Sequence, residues 1–502
     1  MRFGSVFLAA TIGCAILQNA KADVELPNVF SDHMVLQQKQ ENKVWGRAKP
    51  GESVTVTFRD QSHSATADAA GNWHVMLEAE EASHDPATLT AKGSSTVTIE
   101  DVLVGEVWIC SGQSNMQWSV SQTNDPDLVK VSANYPLIRM INYPRVGAQS
   151  PVWTHPKHQW MVCSPETVGS FSAVGYFFGR QLHQVLDVPI GLINNAWGGS
   201  ACEAWIARDV MEETGDYAYR LKVYDDMAQQ LDDLTAKKEL SADEKKRKAS
   251  LTRNLTGNHR PANIYNGVLK SHLGYGIRGA IWYQGESNAG RAYQYRKLFP
   301  LMIASWREEW GQGDFPFYWV QLADFRAESE APGESNWAEL REAQTMTMDK
   351  LANTGEAVII DIGEGKDIHP RNKVDVGRRL ARWALAKQYG VDIAYQSPRY
   401  KSMEQKDGKI TLSFDAVRGG WRPFDVKSPV GFAIAGEDRK FVWAEAKIVN
   451  DTIEVWSDAV SEPVAVRYGW ADNPVCNMFT GLNLPLTPFR TDDWPGITVD
   501  AK

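Results

Sequence analysis

Ser114, His369 and Asp367 are the residues of this chain whose types and surroundings could do chemistry together. Ser114 lies in Gly112-Gln113-Ser114-Asn115-Met116, directly behind the apolar run 107–110. Such a run reads as a buried strand, and the glycine two residues before the serine lets the backbone turn without a Cβ clash. A hydroxyl presented on such a turn suits a nucleophile. Taken alone the signal is weak, because serine and glycine are common in turns. Three more polar clusters follow apolar runs. Gly198-Gly199-Ser200 follows 190–193 by way of Asn194-Asn195-Ala196-Trp197, Gln284-Gly285-Glu286-Ser287-Asn288 follows 280–283, and Asp367-Ile368-His369-Pro370 follows 357–360.

Attack on an ester needs a hydroxyl, a base within hydrogen-bond reach and donors aimed at the developing oxyanion. Ser114 fits the nucleophile and His369 the base. Asp367 would orient the imidazole and stabilise its cation. The oxyanion donors would be the Ser114 backbone N–H, the Gly199 N–H and the Gln284 side-chain amide. A helix starting just after Ser114 would add its N-terminal dipole. Trp282, Glu286 and Asn288 are candidates to bind substrate. Plainer readings compete with each of these. Nine of the ten histidines have no assigned role. Glycine pairs mark turns. Gln284 could satisfy backbone groups, and Glu286 could be a structural anchor. The 19 tryptophans could stack on sugar rings, Trp197, Trp205 and Trp282 being near the motifs, but most should be core.

The elements that must position these residues fall into three blocks. Residues 23–104 read as all-β, with strand-like 54–58 and 96–99 and turn signals at Lys49-Pro50-Gly51 and Gly71-Asn72, which predicts a small sandwich. From 105 to 390 short apolar runs (107–110, 138–141, 190–193, 280–283, 317–320 and 357–360) alternate with helical patterns. That predicts an α/β domain with a parallel sheet and helices on both faces. Ligands of such sheets bind outside the carboxyl ends of the strands, so four clusters at those ends suggest one site. The charged stretch 209–253 predicts a solvated helical excursion. From 391 to 502 β texture returns.

Bulk properties narrow the class. Residues 1–22 have a positive start, an apolar stretch and a small-x-small end at Ala20-Lys21-Ala22, which predicts a signal peptide and a periplasmic or secreted protein. No later apolar segment is long enough to span a bilayer, so no membrane partner is expected. The net charge is −9 with dispersed basic residues, so no nucleic-acid partner is expected either. Cys110, Cys163, Cys202 and Cys476 would remain after processing and allow zero, one or two disulfides. There is no Cys-x-x-Cys, and His155 and His158 have no evident third ligand, so no metal site is expected.

The motifs at 112–116, 282–288 and 367–370 resemble the sialate O-acetylesterase family of the SGNH hydrolases. Further matches are 191–200 through Glu203-Ala204-Trp205, 260–266, 468–477 and 488–491. The resemblance runs from about residue 25 to the end. It implies a flavodoxin-like hydrolase domain between two β domains, serine-dependent removal of acetyl groups from sugars, and no metal or organic cofactor. Carried over by motif, Ser114 is the nucleophile, Gly199 and Gln284 complete the oxyanion hole, and Asp367 and His369 finish the triad. Many SGNH enzymes place the acid three residues before the histidine, which here is Lys366. Asp367, Glu364 and Asp361 are therefore all candidates, and a Ser–His dyad is a further one. Longer relatives carry an inserted β domain where this chain has only the charged helical stretch. The resemblance makes an O-acetylated carbohydrate the substrate, either O-acetyl sialic acid or acetylated hemicellulose oligosaccharides. It says nothing of oligomeric state. The alternative from another class is a non-catalytic carbohydrate-binding protein, which two β domains and abundant tryptophan would also fit.

Overall fold

The computed structural model describes residues 23–502, so the expected signal peptide lies outside the described residues. At its centre is a twisted sheet of seven strands: β1 (Thr96–Gly112), β2 (Tyr135–Asn142), β3 (Met161–Cys163), β4 (Ile190–Asn194), β5 (Gly279–Tyr283), β6 (Phe317–Val320) and β7 (Thr354–Ala357). The spatial order is β7-β6-β5-β1-β4-β2-β3. All neighbours are parallel except the edge pair β2–β3.

Successive side chains on a strand point to opposite faces, and here both faces are buried. Val107 and Ile109 of β1 and Ala280 and Trp282 of β5 enter one hydrophobic cluster. Trp108, Cys110, Ile281 and Tyr283 enter the other. The first cluster is covered by α5 (Ala292–Trp310) and α6 (Asn336–Thr347), and the second by α2 (Ala173–Leu186) and α7 (Lys373–Lys387). Burial on both sides is why these strands read as unbroken apolar runs. The remaining helices named below are α1 (Ser114–Gln117), α3 (Ala218–Ala236) and α4 (Ala242–Leu255).

β1 is 17 residues long and serves two sheets. Its first half pairs antiparallel with Ser83–Lys92, which leads on to Ser53–Phe58 and Gln61–Thr66. Its second half enters the parallel sheet. Half-buried strands of the N-terminal region alternate cleanly: Val54, Val56 and Phe58 point inward from one, and Trp73, Val75 and Leu77 from another.

One apolar run ends differently from its reading. The run 357–360 is buried, but the ladder stops at Ala357. Val358 to Ile362 leave the sheet edge, and Gly363 N–H donates to Asp324 Oδ1, just past the end of β6. This departure carries His369 back toward β1. The charged stretch folds as the antiparallel pair α3 and α4, mostly exposed, with Tyr224, Leu251 and Leu255 buried between them. Ser241 and Glu244 form a capping box at the start of α4, satisfying two otherwise orphaned N–H groups.

The C-terminal region packs two antiparallel four-stranded sheets around Ile410, Leu412, Phe432, Ile434, Val455 and Tyr468. Arg341 of α6 ties it to the hydrolase sheet. This buried guanidinium donates to the carbonyls of Leu322 and Ala323 after β6 and to those of Ala471 and Asp472 in the C-terminal region. All four cysteines among the described residues are free thiols. No described helix is long and apolar enough to cross a membrane.

Arg341→Met should keep the helix and strip the Leu322 and Ala471 carbonyls of their donor, while Ala323 and Asp472 keep the Trp337 indole N–H and the Phe325 N–H. Each orphaned buried group costs about 1–3 kcal/mol, so a loss of at least about 2 kcal/mol is expected in urea unfolding. A loss below about 0.5 kcal/mol, the range of an ordinary surface change, would show that the clamp is not needed.

Candidate active site

The strand order reverses at β1. Chain connections from β1 build β4, β2 and β3 on one side, then cross to β5, β6 and β7 on the other. A crevice opens at such a switch point, and Ser114 stands in it. Gly112 is opposite Tyr283 in register and has φ +126°. A Cβ there would collide with the Tyr283 carbonyl, so only glycine fits. Gln113 N–H donates to that same carbonyl at 2.9 Å, and the chain turns directly into α1. The helix begins at Ser114 itself and lasts four residues, so the expected dipole reduces to a single turn.

Ser114 Oγ lies 2.9 Å from His369 Nε2. On the other side of the imidazole, Nδ1 is 3.3 Å from Asp367 Oδ1, and the same oxygen accepts the His369 backbone N–H at 2.9 Å. The two alternative acids are engaged elsewhere. Asp361 forms a two-pronged pair with Arg379, and Glu364 accepts the Arg371 N–H. The indole of Trp118 stacks on the His369 ring, with centroids 4.7 Å apart and planes 14° from parallel. Burial pushes the His369 pKa below its ordinary value, against the pull of Asp367; the Lys373 cation lowers it further. The imidazole is therefore neutral and able to accept a proton at neutral pH.

The glycine pair after β4 closes on Ser114. A Cβ on Gly198 would stand 3.3 Å from the Ser114 Cβ. Gly198 N–H donates to Gln117 Oε1, and its carbonyl accepts from Asn258 Nδ2. A trans peptide directs C=O and N–H to opposite sides, so pinning that carbonyl turns the Gly199 N–H the other way. The Gly199 carbonyl is pinned in turn by His259 Nε2 and Ser287 Oγ. Neither the Ser114 nor the Gly199 N–H donates to any group among the described residues. Two free backbone donors beside a serine hydroxyl are what an oxyanion needs.

Four expectations fail here. Gln284 is fully buried, and its amide donates to the Ser200 carbonyl and to Asn288 Oδ1, while its Oε1 accepts from Tyr295 Oη. Both amide hydrogens are committed, so Gln284 is a strut under the glycine loop and not an oxyanion donor. Asn288 is also buried; it accepts from Cys202 N–H and donates to Glu203, whose carboxylate pairs with Arg291. Trp282 is fully buried and packs edge-on against Trp205, with Trp306 and Phe299 around it. Neither indole can stack on a sugar, because both are fully enclosed in the core. The Glu286 carboxylate also points inward: Oε1 accepts from Asn115 Nδ2, and Oε2 is buried without a partner. The loop after β5 braces the site from below.

Four residues went unread. Trp118 and Lys373 carry no sequence signal, being a lone indole and a lone lysine. Asn258 and His259 stand just before the motif at 260–266, and their adjacency was the available clue.

The family model "Carbohydrate esterase, sialic acid-specific acetylesterase" matches residues 104–242 and 259–386. The chain belongs to this family, and it is an esterase. The interruption at 243–258 falls within α4 and the turn after it. The sialate O-acetylesterases of Mus musculus and Homo sapiens are 28% and 27% identical. The mouse protein matches over 97% of both chains and the human protein over 93% of both. The crystal structure of a carbohydrate acetylesterase from Xanthomonas citri is 38% identical, covers 94% of this chain and 100% of its own, and superposes with a TM-score of 0.81. Membership of an esterase family displaces the non-catalytic binding alternative.

Asp367→Asn should lower kcat by about tenfold to a thousandfold, less than a buried triad acid would, because its side chain is 44% exposed and water can partly replace it. Asp361→Asn should lower thermal stability and leave kcat within about twofold, since a lost surface pair costs at most about 1 kcal/mol. Steady-state kinetics on an aryl acetate decides, and the opposite order would move the acid to Asp361.

Proposed function

We propose that the protein is a secreted carbohydrate O-acetylesterase that works through an acetyl-enzyme on Ser114. The single observation that carries this reading is the 2.9 Å contact between Ser114 Oγ and His369 Nε2 beside two unengaged backbone N–H groups. Secretion rests on the signal-like pattern of residues 1–22.

In the proposed reaction, Oγ attacks the acetyl carbonyl while His369 Nε2 takes its proton. Asp367, next to Nδ1, stabilises the resulting imidazolium. The oxyanion is met by the Ser114 and Gly199 N–H groups. Collapse of the tetrahedral intermediate breaks the bond to the sugar oxygen, and the imidazolium returns its proton to that oxygen. Water then attacks the acetyl-enzyme with His369 again as base, releasing acetate and restoring Oγ–H. The Gly199 donor is held before reaction by the pin on the Gly198 carbonyl and the Ser114 donor by its place at the start of α1, so little reorganisation is needed as charge develops.

The sugar would occupy the cleft walled on one side by Trp118, whose indole stacks on His369. This cavity of about 630 Å³ is lined by Trp118, Gln122, Asn124, Asp125 and Arg371 among others, a polar set with one aromatic wall that suits hydroxyl-rich ligands. The matching relatives are named for O-acetyl sialate and for acetylated carbohydrate, and both classes are proposed here as substrates.

Ser114→Ala should abolish acetate release from acetylated sugars and from aryl acetate, by more than about 10³-fold, with an unchanged unfolding curve. Retained activity would remove the serine mechanism. Aryl acetate should be cleaved at least about tenfold better than aryl butyrate, a gap of about 1.4 kcal/mol; preference for the longer chain would remove the acetyl reading.

The pH profile follows from His369. Its neutral form is the base, so kcat/KM rises with pH through its pKa, which burial holds below 6.5. The acid limb should therefore bend below the ordinary histidine value of about 6.5. A midpoint above about 7 would mean that another group supplies the base.

A further inference from the structure

Lys373 occupies a place that ordinary helix chemistry disfavours. It is the first residue of α7, where the macrodipole opposes a cation. Asn372, as N-cap, already takes the Asp375 N–H. The lysine is nevertheless fully buried. Its ammonium lies between the rings of Tyr283, at 5.3 Å, and Trp118, at 6.0 Å. Among the described residues it makes one hydrogen bond, to Asn115 Oδ1 at 2.5 Å. A buried lysine with a single neutral partner is costly, so its presence calls for a reason beyond the helix.

Asn115 supplies the connection. An ammonium has only donors, so the oxygen of the Asn115 amide must face Lys373. That choice sends both amide hydrogens the other way, to Glu286 Oε1 at 2.7 Å and to the Ile368 carbonyl at 3.0 Å. Asn115 follows Ser114, and Ile368 precedes His369. One side chain thus joins the nucleophile turn to the histidine loop, with its orientation set by a cation on one side and a carboxylate on the other.

We infer that Lys373, through Asn115 and the Glu286 carboxylate, is a positioning residue that holds the Ser114 turn and the His369 loop in register for proton transfer. This rests on the esterase reading of Ser114 and His369 given above. The groups around the ammonium are Glu286 from the β5 loop, Glu364 and Asp367 from the histidine loop, and His369 itself. Burial pushes Lys373 down to about 7, against the pull of Glu286 first and then Glu364 and Asp367. Below that pH it is charged and disfavours an imidazolium on His369. Removing the charge must therefore raise the His369 pKa and move the acid limb of kcat/KM upward.

The test uses the full chain and an aryl acetate, with the wild type and Ser114→Ala alongside. Lys373→Met keeps the shape and removes the cation. It should lower kcat by at least about tenfold with KM within about twofold, the pattern of an interaction used in the transition state. Its acid limb should move up by at least about half a pH unit. A lower melting temperature with unchanged kcat and an unmoved limb overturns the inference. Should Lys373→Met fail to fold, Glu286→Gln takes its place, because it removes only the charge that anchors Asn115. A matching kcat loss supports the chain, and a wild-type kcat overturns it. A wild type that releases no acetate would instead sink the esterase reading, whereas an active wild type beside an indifferent variant sinks only the positioning role.

Discussion

One hydrogen bond, 2.9 Å long, joins Ser114 and His369 across 255 positions of sequence. Much of the architecture can be understood as what this contact demands. Ser114 needs a turn at the end of the central strand, and a neighbouring strand must come close enough that only Gly112 fits. His369 needs a route from the far edge of the sheet. Its loop leaves β7, is caught by Asp324 beyond β6, and reaches the Ser114 turn through Asn115. The C-terminal region is drawn in through Arg341, which grips the chain next to Asp324.

The site is polar beneath and open above. Gln284, Asn288, Glu203 and Arg291 form a buried network whose hydrogen bonds are largely internal. Such networks rigidify when satisfied and destabilise when one member is lost. Here the network supports a glycine loop whose two carbonyls are each taken by a side chain from beyond the α3–α4 excursion. The excursion thus returns the chain to the site at Asn258 and His259. Its exposed, mixed-charge surface and its well-anchored exit are consistent with different duties.

Aromatic residues divide in the same way. Trp282 packs edge to face against Trp205 and against Trp306 of α5 within the core, where their large area contributes to burial. Trp118 alone of those discussed lies against the imidazole and lines the adjoining cleft. Stacking restricts the ring that must stay aligned with Ser114, and it partly shields that ring from water, which lowers its pKa.

The sequence by itself determined the class of fold, the strands at whose ends the candidate site stands, and the serine, histidine and glycine turn that the structure brings together. These are local matters: doubly buried strands are continuously apolar, and a turn pressed against a neighbouring strand needs glycine. Where the last ladder ended was less legible, because 357–360 is apolar whether it pairs or merely lies buried. Side-chain direction was not legible at all. Gln284, Asn288 and Trp282 sit in the strongest motif of the chain, yet they face the interior, since a motif records that residues are needed and not which way they point. Only the tertiary structure decided that Asp367 and not Asp361 reaches the imidazole, that Asn258 and His259 aim the glycine loop, and that Lys373 faces Asn115. Those choices depend on contacts between segments far apart in the chain, and no local spacing carries them.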